Sequence, residues 1–217
     1  MTFGPVVRLR GAVALSSGFP LLSGVDLDLD VASLNVVTGA NGAGKTSLLR
    51  LLAGLLPLSA GEGVVCDVDL SKGDLRQLRR RVGWLGHEGS FYADLTAYEN
   101  LRFCALALGR PVEEIDAVLE RVGLGARRDT TTKRLSAGQR RRLGLAWLLL
   151  RRAELWLLDE PYASLDDQGR TFFDALLGDV IDAGATVVVS AHDPLRSSTL
   201  APRTIQLAGG RVREVAP

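Results

Sequence analysis

The feature that most constrains this chain is the stretch GANGAGKT at residues 39–46, which fits the pattern G-x-x-x-x-G-K-[ST] at every fixed position. The apolar run 34–38 before it predicts a buried strand, and the residues after it predict a helix. Small residues let the backbone curl so that its N–H groups point at phosphate oxygens, and the helix start adds its dipole. In such a loop Lys45 reaches the β- and γ-phosphates, and the Thr46 hydroxyl is a ligand for Mg²⁺.

The alternative interpretation of this loop is a chance glycine-rich turn between a strand and a helix. The chain has only three lysines, Lys45, Lys72 and Lys133, and one of them falls at the required place. This favours a phosphate-binding loop. Its predicted nucleotide contacts are Gly39, Ala40, Asn41, Gly42, Ala43, Gly44, Lys45, Thr46 and Ser47.

A strand later in the chain ends in two acidic residues, and a phosphate-binding loop that uses Mg²⁺ needs such carboxylates. The apolar run LWLLD at 155–159 predicts a buried strand that ends in a carboxylate. Asp159 can therefore lie beside the Mg²⁺ held by Thr46, while Glu160 points elsewhere and can orient or deprotonate an attacking water. Taken alone, a strand with an acidic edge explains these residues equally well; beside a phosphate loop it does not.

The stretch LSAGQ at 135–139 predicts a second anion-binding helix start. Ser136 and the N–H of Gly138 are suited to phosphate oxygens at the first turn of a helix. As a lone motif it is an ordinary capped helix. Because the loop at 39–46 already provides a complete phosphate site, the residues alone do not explain why the chain would have a second one.

The chain as a whole reads as an α/β protein. Continuous apolar strands alternate with helices, which predicts a parallel sheet covered on both faces. The strict alternation at 24–31 predicts a half-exposed antiparallel strand with Val25, Leu27, Leu29 and Val31 on its buried face. Further strands are predicted at 63–70, 81–86 and 185–191, helices at 96–109, 111–124, 136–152 and 167–183, and a closing hairpin at 204–215.

Composition narrows the class of function. The formal charge of +1 gives no general attraction to nucleic acid, so no nucleic-acid partner is expected. Cys66 and Cys104 lack metal-ligand spacing and are expected to be reduced thiols in a cytosolic protein. We find no signal-peptide pattern and no apolar run long enough to span a bilayer. A cytoplasmic location is expected unless a partner holds the chain at a membrane.

The order of these motifs resembles the nucleotide-binding subunits of ATP-binding-cassette (ABC) transporters over nearly the whole chain. That resemblance implies a P-loop NTPase fold with a mostly parallel core sheet, an N-terminal antiparallel β subdomain and a helical insertion. It implies one domain over 1–217, with the core at about 1–95 and 153–217 and the helical part at about 96–152. The implied ligands are ATP and Mg²⁺.

In that family the signature stretch closes over the γ-phosphate bound by a second subunit, so two ATP molecules are sandwiched in a head-to-tail dimer. The resemblance assigns this contact to Ser136, Gly138 and Gln139. It implies catalytic roles for Lys45, for Glu160 and for His192, the last as a switch that touches the γ-phosphate. The residues implied to cross the dimer interface are Ser164, Leu165 and Asp166.

Four positions depart from the family pattern. Phe19 is only a candidate for the aromatic residue that stacks on adenine. Ala137 replaces a signature glycine, and Trp147 stands where an arginine is common. His87 takes the place of a glutamine that touches Mg²⁺ and relays to the membrane subunits; an imidazole can ligate a divalent ion or bond a water. The alternative for His87 is an exposed loop histidine without nucleotide contact.

Within the family, the stretches at 84–103, 135–146, 153–166 and 190–195 together resemble the CcmA subgroup, the ATP-binding subunits of the haem-handling complex of cytochrome c maturation. This implies a CcmB-like integral membrane subunit, with CcmC- and CcmD-like proteins as further candidates, at the cytoplasmic face of the inner membrane. One alternative is the ATPase of another small exporter for lipid, peptide or drug, which an unrelated neighbouring permease would favour. A soluble cassette protein acting on ribosomes or DNA ranks last, because this chain has one cassette and no basic extension.

Overall fold

A computed structural model describes residues 4–86, 91–163, 165–191 and 200–216. In these ranges two sheets and six α-helices make up the protein. The strands are β1 (Val7–Ser16), β2 (Phe19–Leu29), β3 (Leu34–Thr38), β4 (Ala60–Val65), β5 (Val68–Asp69), β6 (Val82–Leu85), β7 (Leu155–Asp159), β8 (Thr186–Ser190), β9 (Arg203–Ala208) and β10 (Arg211–Ala216). The helices are α1 (Lys45–Leu52), α2 (Leu75–Arg81), α3 (Ala97–Leu108), α4 (Glu114–Arg121), α5 (Ala137–Arg151) and α6 (Asp167–Asp182).

The first sheet is antiparallel, with strand order β2-β1-β4-β5. Its β2 strand buries Val25, Leu27 and Leu29 on one face, as the alternation predicted. The prediction for Val31 was wrong, because β2 ends at Leu29 and Val31 lies in the following bend with 41% of its surface exposed. Strand β1, which the sequence did not single out, pairs with both β2 and β4.

The second sheet has six strands in the order β10-β9-β3-β8-β7-β6 and is parallel except for the β9–β10 hairpin. Alternate residues of β7 enter two different hydrophobic clusters. Leu155 and Leu157 pack with α1 and the antiparallel sheet, whereas Trp156 and Leu158 pack with α3 to α6. The sheet is thus covered on both faces, as predicted.

Parallel pairing fixes the position of three strand ends. Strand β8 pairs with β3 on one side and with β7 on the other, and the register sets Asp159 opposite Ser190. The carboxyl ends of β3, β7 and β8 therefore meet at one edge of the sheet. In open parallel sheets this edge is where ligands bind.

Two predicted elements are shorter than expected. The strand expected at 63–70 is interrupted, because Cys66 and Asp67 adopt positive φ angles of 47° and 60° and turn the chain between β4 and β5. The helix expected at 111–124 begins only at Glu114. Helix α2 was not predicted; Asp74 caps it by accepting a hydrogen bond from the Arg76 N–H at 2.8 Å.

The helices between β6 and β7 agree with the sequence pattern. Thr96 and Glu99 form the predicted capping box at the start of α3, and Gly109 ends that helix with a φ of 64°. Helices α3 and α4 both pack against α5. Among the described residues, no helix is both long enough and apolar enough to cross a bilayer.

Candidate active site

The loop between β3 and α1 curls through three glycines with positive φ: Gly39 (147°), Gly42 (78°) and Gly44 (105°). Two of these glycines have no room for a side chain. A Cβ at Gly39 would lie 2.2 Å from the carbonyl oxygen of Leu207, and one at Gly44 would lie 2.9 Å from that of Leu21. Gly39 and Gly44 are thus required both by the backbone conformation and by close approach of β9 and β2, whereas Gly42 is required by its positive φ alone.

The tip of the β9–β10 hairpin supports this loop from outside. Gly210 donates its N–H to the Ala43 carbonyl at 2.9 Å, and its own carbonyl accepts from Ser23 N–H at 2.8 Å. A chain of backbone bonds therefore runs from β2 through the hairpin to the loop. Such bonds restrain the backbone of the loop.

Lys45 lies at the first position of α1 with only 6% of its surface exposed. Its Nζ donates to the carbonyl oxygens of Gly39 at 2.7 Å and Ala40 at 3.3 Å. The ammonium group is therefore held across the loop. An anion in the loop would meet this charge together with the N–H groups at the start of α1.

Asp159, at the end of β7, is the centre of a buried polar cluster. Thr46 Oγ1 donates to its two carboxylate oxygens at 2.9 and 3.2 Å, and Ser190 Oγ donates to Oδ1 at 2.6 Å. The structure thus brings together Thr46 and Asp159, the pair predicted to share Mg²⁺. Mg²⁺ is usually held by one or two protein oxygens together with waters and substrate phosphates, and this pair fits that requirement.

Glu160 follows Asp159 in a left-handed conformation, with a φ of 48°. Its N–H donates to Ser190 Oγ at 2.9 Å, and its carbonyl accepts from Arg141 Nη2 at 2.9 Å. Neither Ser190 nor Arg141 was predicted as a site residue. The signal that was available for Ser190 is its polar side chain at the end of an otherwise apolar strand; for Arg141 the sequence offers none.

The phosphate loop and Glu160 line one cavity, of 430 Å³. It is lined by the loop from Asn41 to Ser47, by Glu160, by the tip of the hairpin and by the start of β2. Phe19 does not line it; this ring is 74% exposed at the start of β2, beside Pro20, which does. The candidate aromatic is thus near the cavity mouth rather than inside it.

The signature residues are not part of this cavity among the described residues. Ser136 caps α5, with its Oγ accepting from Gln139 N–H at 3.2 Å and its N–H donating to Gln139 Oε1 at 2.9 Å. A Cβ at Gly138 would have no neighbour within 4 Å among the described residues. Asp166 caps α6 by accepting from Gly169 N–H at 2.7 Å. His87, Ser164 and His192 lie outside the described residues.

A second cavity, of 470 Å³, lies between β6 and helices α3 and α5. We call it the aromatic groove; its side chains include Trp84, Phe91, Tyr92, Phe103 and Trp147. Phe103 is 56% exposed, and the Arg151 guanidinium stacks over the Trp147 ring at 5.1 Å from its centroid. Trp147, which departs from the family pattern, therefore forms part of the wall of this groove.

Comparison with known proteins decides the family. The profile of the family described as "ABC transporter" matches residues 22–163. The chain belongs to the ABC transporter family. It is 36% identical over 207 residues to the cytochrome c biogenesis ATP-binding export protein CcmA of Xanthomonas campestris pv. campestris (strain 8004), covering 95% of each chain. The CcmA of Rhodopseudomonas palustris (strain BisB18) is 39% identical over 200 residues, or 92% of this chain and 96% of that protein.

Solved structures of ABC proteins have the same fold. An ATP-binding subunit of an ABC transporter superposes with a TM-score of 0.87 at 21% identity, covering 97% of this chain and 89% of the other. The dimeric cassette MJ0796, solved after hydrolysis with ADP and phosphate, also gives 0.87 at 23% identity, over 96% and 97% of the two chains. The predicted fold is confirmed, and this ABC protein is an ATPase subunit homologous to CcmA.

Proposed function

We propose that the chain binds and hydrolyses ATP as the motor subunit of a haem-handling export complex of cytochrome c maturation. One observation carries the ATPase part: the phosphate loop, Thr46, Asp159 and Glu160 meet at one edge of the parallel sheet and share a cavity or direct hydrogen bonds. The name of the CcmA relatives supports the cytochrome c part. In this proposal residues 1–217 act as one unit.

The chain's own residues perform binding and proton transfer. The N–H groups of the loop 39–44 and of the first turn of α1 receive the phosphate oxygens. Lys45 exchanges its bonds to the carbonyls of Gly39 and Ala40 for bonds to the β- and γ-phosphates. Thr46 and Asp159 would hold Mg²⁺, which would supply positive charge to neutralise the charge on the phosphates. Glu160 orients the attacking water and accepts its proton.

The second ATP contact comes from a partner copy. Within one chain the signature residues do not line the nucleotide cavity among the described residues, so a head-to-tail dimer is the arrangement that gives them a ligand. Ser136, Gly138 and Gln139 close over the γ-phosphate bound by the partner. Ser164, Leu165 and Asp166 lie along this interface in the proposal, and His192 contacts the γ-phosphate beside Glu160. Phe19 stacks on adenine at the cavity mouth.

The aromatic groove is proposed to receive a helix of a CcmB-like integral membrane subunit. Tyr92, Phe103 and Leu55 are each more than half exposed and form an apolar patch in the wall of the groove, and such patches mark partner sites. Arg79 and Arg151 at its wall favour an occupant that carries an acidic side chain or the C-terminal end of a helix. The chain then lies at the cytoplasmic face of the inner membrane, and CcmC- and CcmD-like proteins join through the membrane subunit.

His87 connects the two sites in this proposal. Gly86, the residue before it, lines the aromatic groove and accepts a hydrogen bond from Arg141 at 3.1 Å. A histidine side chain can bond a water or Mg²⁺, so in this proposal His87 links the nucleotide site to the partner site. Replacement by glutamine, the residue usual in the family, tests whether the imidazole itself is needed.

Glu160→Gln tests the ATPase proposal directly. The variant keeps the size of the side chain but removes the proton acceptor, so it should bind ATP with wild-type affinity and form a stable ATP-bound dimer without turnover. The measurements are phosphate release and size-exclusion chromatography with light scattering in Mg-ATP. Hydrolysis at the wild-type rate would refute the role of Glu160.

Phe103→Glu tests the proposed partner. Placing a carboxylate in the apolar groove should abolish co-purification with a co-expressed CcmB-like membrane subunit, while ATP affinity is unchanged. Glu113→Gln is the surface control, because Glu113 is exposed, follows α3 in sequence and does not line the groove. Unchanged co-purification of Phe103→Glu would reject the groove as the docking site, and association only with an unrelated permease would reject the haem-handling complex.

A further inference from the structure

The backbone of Glu160 is bound on both sides by side chains from two different elements. Its N–H donates to Ser190 Oγ, from β8, and its carbonyl accepts from Arg141 Nη2, from α5, each at 2.9 Å. Between these bonds the residue has a φ of 48°, which side-chain-bearing residues rarely adopt. Such a conformation persists only where surrounding contacts enforce it.

Ser190 contributes one hydroxyl to two tasks. The side chain is fully buried, donates its proton to Asp159 Oδ1 at 2.6 Å and accepts the N–H of Glu160 at 2.9 Å. Because a hydroxyl has a single proton, this donation to Asp159 leaves its lone pairs for Glu160. The carboxylate of Asp159 and the backbone of Glu160 are therefore oriented by the same atom.

Arg141 lies in α5, the helix that begins with the signature stretch, and it binds the carbonyl side of the Glu160 backbone. Its Nη1 donates to the carbonyl of Gly86 at 3.1 Å while Nη2 bonds the carbonyl of Glu160. Burial lowers the pKa of this guanidinium, and the negative charges of Asp159 and Glu160 oppose that effect. The guanidinium therefore links α5 to two other parts of the chain, Gly86 at the end of β6 and Glu160 at the end of β7.

We propose that Arg141 and Ser190 clamp the backbone of Glu160 and act as positioning residues that aim its carboxylate at the attacking water. This inference rests on the proposed role of Glu160 as proton acceptor. Neither residue lines the nucleotide cavity in the described part of the chain, and each acts through the peptide groups of Glu160. A displaced proton acceptor slows chemistry without weakening ATP binding, because the phosphate loop is held by separate bonds to the β9–β10 hairpin.

Arg141→Gln removes one side of the clamp. We expect kcat for ATP hydrolysis to fall about 10- to 100-fold, since a small misplacement of a catalytic group has an effect of this order. The KM for ATP and the affinity for a fluorescent ATP analogue should stay at wild-type values. Arg141→Lys should recover part of kcat, because one ammonium group can reach one of the two carbonyls but not fork between them.

Arg142→Gln is the matched control on the same helix. Arg142 is also half-buried, donates to a backbone carbonyl (Val122, 3.1 Å) and stacks on the Phe172 ring, so its loss lowers stability by a comparable route. Its hydrogen bond goes to the carbonyl of Val122, in contrast to that of Arg141, which goes to the carbonyl of Glu160. The control should show a lower Tm with wild-type kcat, whereas Arg141→Gln should lose kcat beyond what its Tm explains.

Ser190→Ala and Ser190→Thr test the other side. The alanine variant should lose kcat and require more Mg²⁺ for half-maximal turnover, because Asp159 also loses a donor; the threonine variant keeps the hydroxyl and should recover kcat. Wild-type kcat in both Arg141→Gln and Ser190→Ala would overturn the clamp. If these two are wild type while Glu160→Gln is inactive, only the clamp fails; if Glu160→Gln turns over normally, the proposed function fails first.

Discussion

Helices α1 and α5 both begin at sites assigned to phosphate, yet their first turns are built differently. The N-cap of α1 is Gly44, which offers no side-chain bond to the first turn. The N-cap of α5 is Ser136, whose hydroxyl and N–H both bond Gln139 in a capping box. The first turn of α1 therefore keeps its N–H donors for a ligand, whereas that of α5 satisfies part of its own.

This difference agrees with their proposed tasks. In the proposal helix α1 meets phosphates within its own chain, and backbone bonds to the β9–β10 hairpin support its loop. Helix α5 is proposed to meet phosphates only when a partner copy approaches, so its polar groups need other partners in the single chain. A capping box gives them those partners and can be exchanged for bonds to the γ-phosphate. The following four predictions test this contrast, from the largest effect to the smallest.

Lys45→Ala should abolish ATP hydrolysis and greatly weaken ATP binding. The variant removes the buried ammonium group that lies across the phosphate loop, and loss of one such charge at a phosphate typically reduces turnover by about 100-fold or more. Phosphate release and fluorescent-ATP titration measure the two effects. Lys72→Ala, an exposed lysine outside the site, is the control. Retained turnover in Lys45→Ala would mean that the loop does not hold the phosphates.

Gly44→Ala and Gly138→Ala should separate the two helix starts. At Gly44 the φ of 105° and the nearby Leu21 oxygen make a methyl group costly, so the variant should lose more than about 1 kcal/mol of stability and bind ATP poorly. At Gly138 nothing lies within 4 Å, and alanine favours a helix by up to about 1 kcal/mol. Its Tm should not fall, while turnover drops because the partner's phosphate must approach closely.

The comparison needs thermal unfolding and turnover on both variants. A fall in Tm for Gly138→Ala would show that the glycine serves folding rather than the partner. An unchanged Tm for Gly44→Ala would contradict the close packing of the phosphate loop.

Ser136→Ala and Thr96→Ala remove the same kind of cap from two helices. Each loses a capping-box side chain, which contributes about 1 kcal/mol to stability. The two should therefore lower the free energy of unfolding by similar amounts. Only Ser136→Ala should also lower ATP turnover, because no contact with nucleotide is proposed for the start of α3. Equal turnover in the two variants would show that the start of α5 does not contact the nucleotide of the partner.

Glu99 gives the smallest and most specific test. It holds the same place in the capping box of α3 as Gln139 holds in that of α5, but it carries a charge. The N–H and hydroxyl of Thr96 bond the Glu99 carboxylate and hold its pKa below the ordinary value. A lowered folded-state pKa gives stability above the unfolded pKa that is lost as pH falls through the folded one. Tm should therefore favour wild type over Glu99→Gln near pH 7, and the gap should close in acid. A gap independent of pH would contradict this ion-dipole contribution.

Local motifs made much of this protein predictable. The strand–loop–helix at 34–52, the capping box of α3, the capped start of α5, Gly109 and the closing hairpin depend on neighbours within a few residues, and the structure has each where the sequence indicated. The alternation in β2 also gave the right buried face, apart from Val31 beyond its end. Such features can be read from sequence because their physical causes are short-range.

Contacts between distant elements could not be predicted in this way. Arg141 lies 19 positions before Glu160, and Ser190 lies 31 positions after Asp159, so only the packing of α5 and β8 against β7 brings them together. The turn at Cys66 and Asp67 was missed because the apolar alternation continues through it. Strand β1 and helix α2 carry weak local signals and are fixed by the surfaces on which they pack.

The aromatic groove also gives the protein a built-in optical reporter. Of the three tryptophans, Trp84 and Trp147 line the groove, whereas Trp156 is buried between the sheet and the helices. A helix seated in the groove would exclude water from the first two indoles and leave the third unchanged. Intrinsic emission of the unlabelled chain would then shift with occupancy of the groove, and a Trp147→Phe variant would show how much of that signal comes from the wall formed by α5.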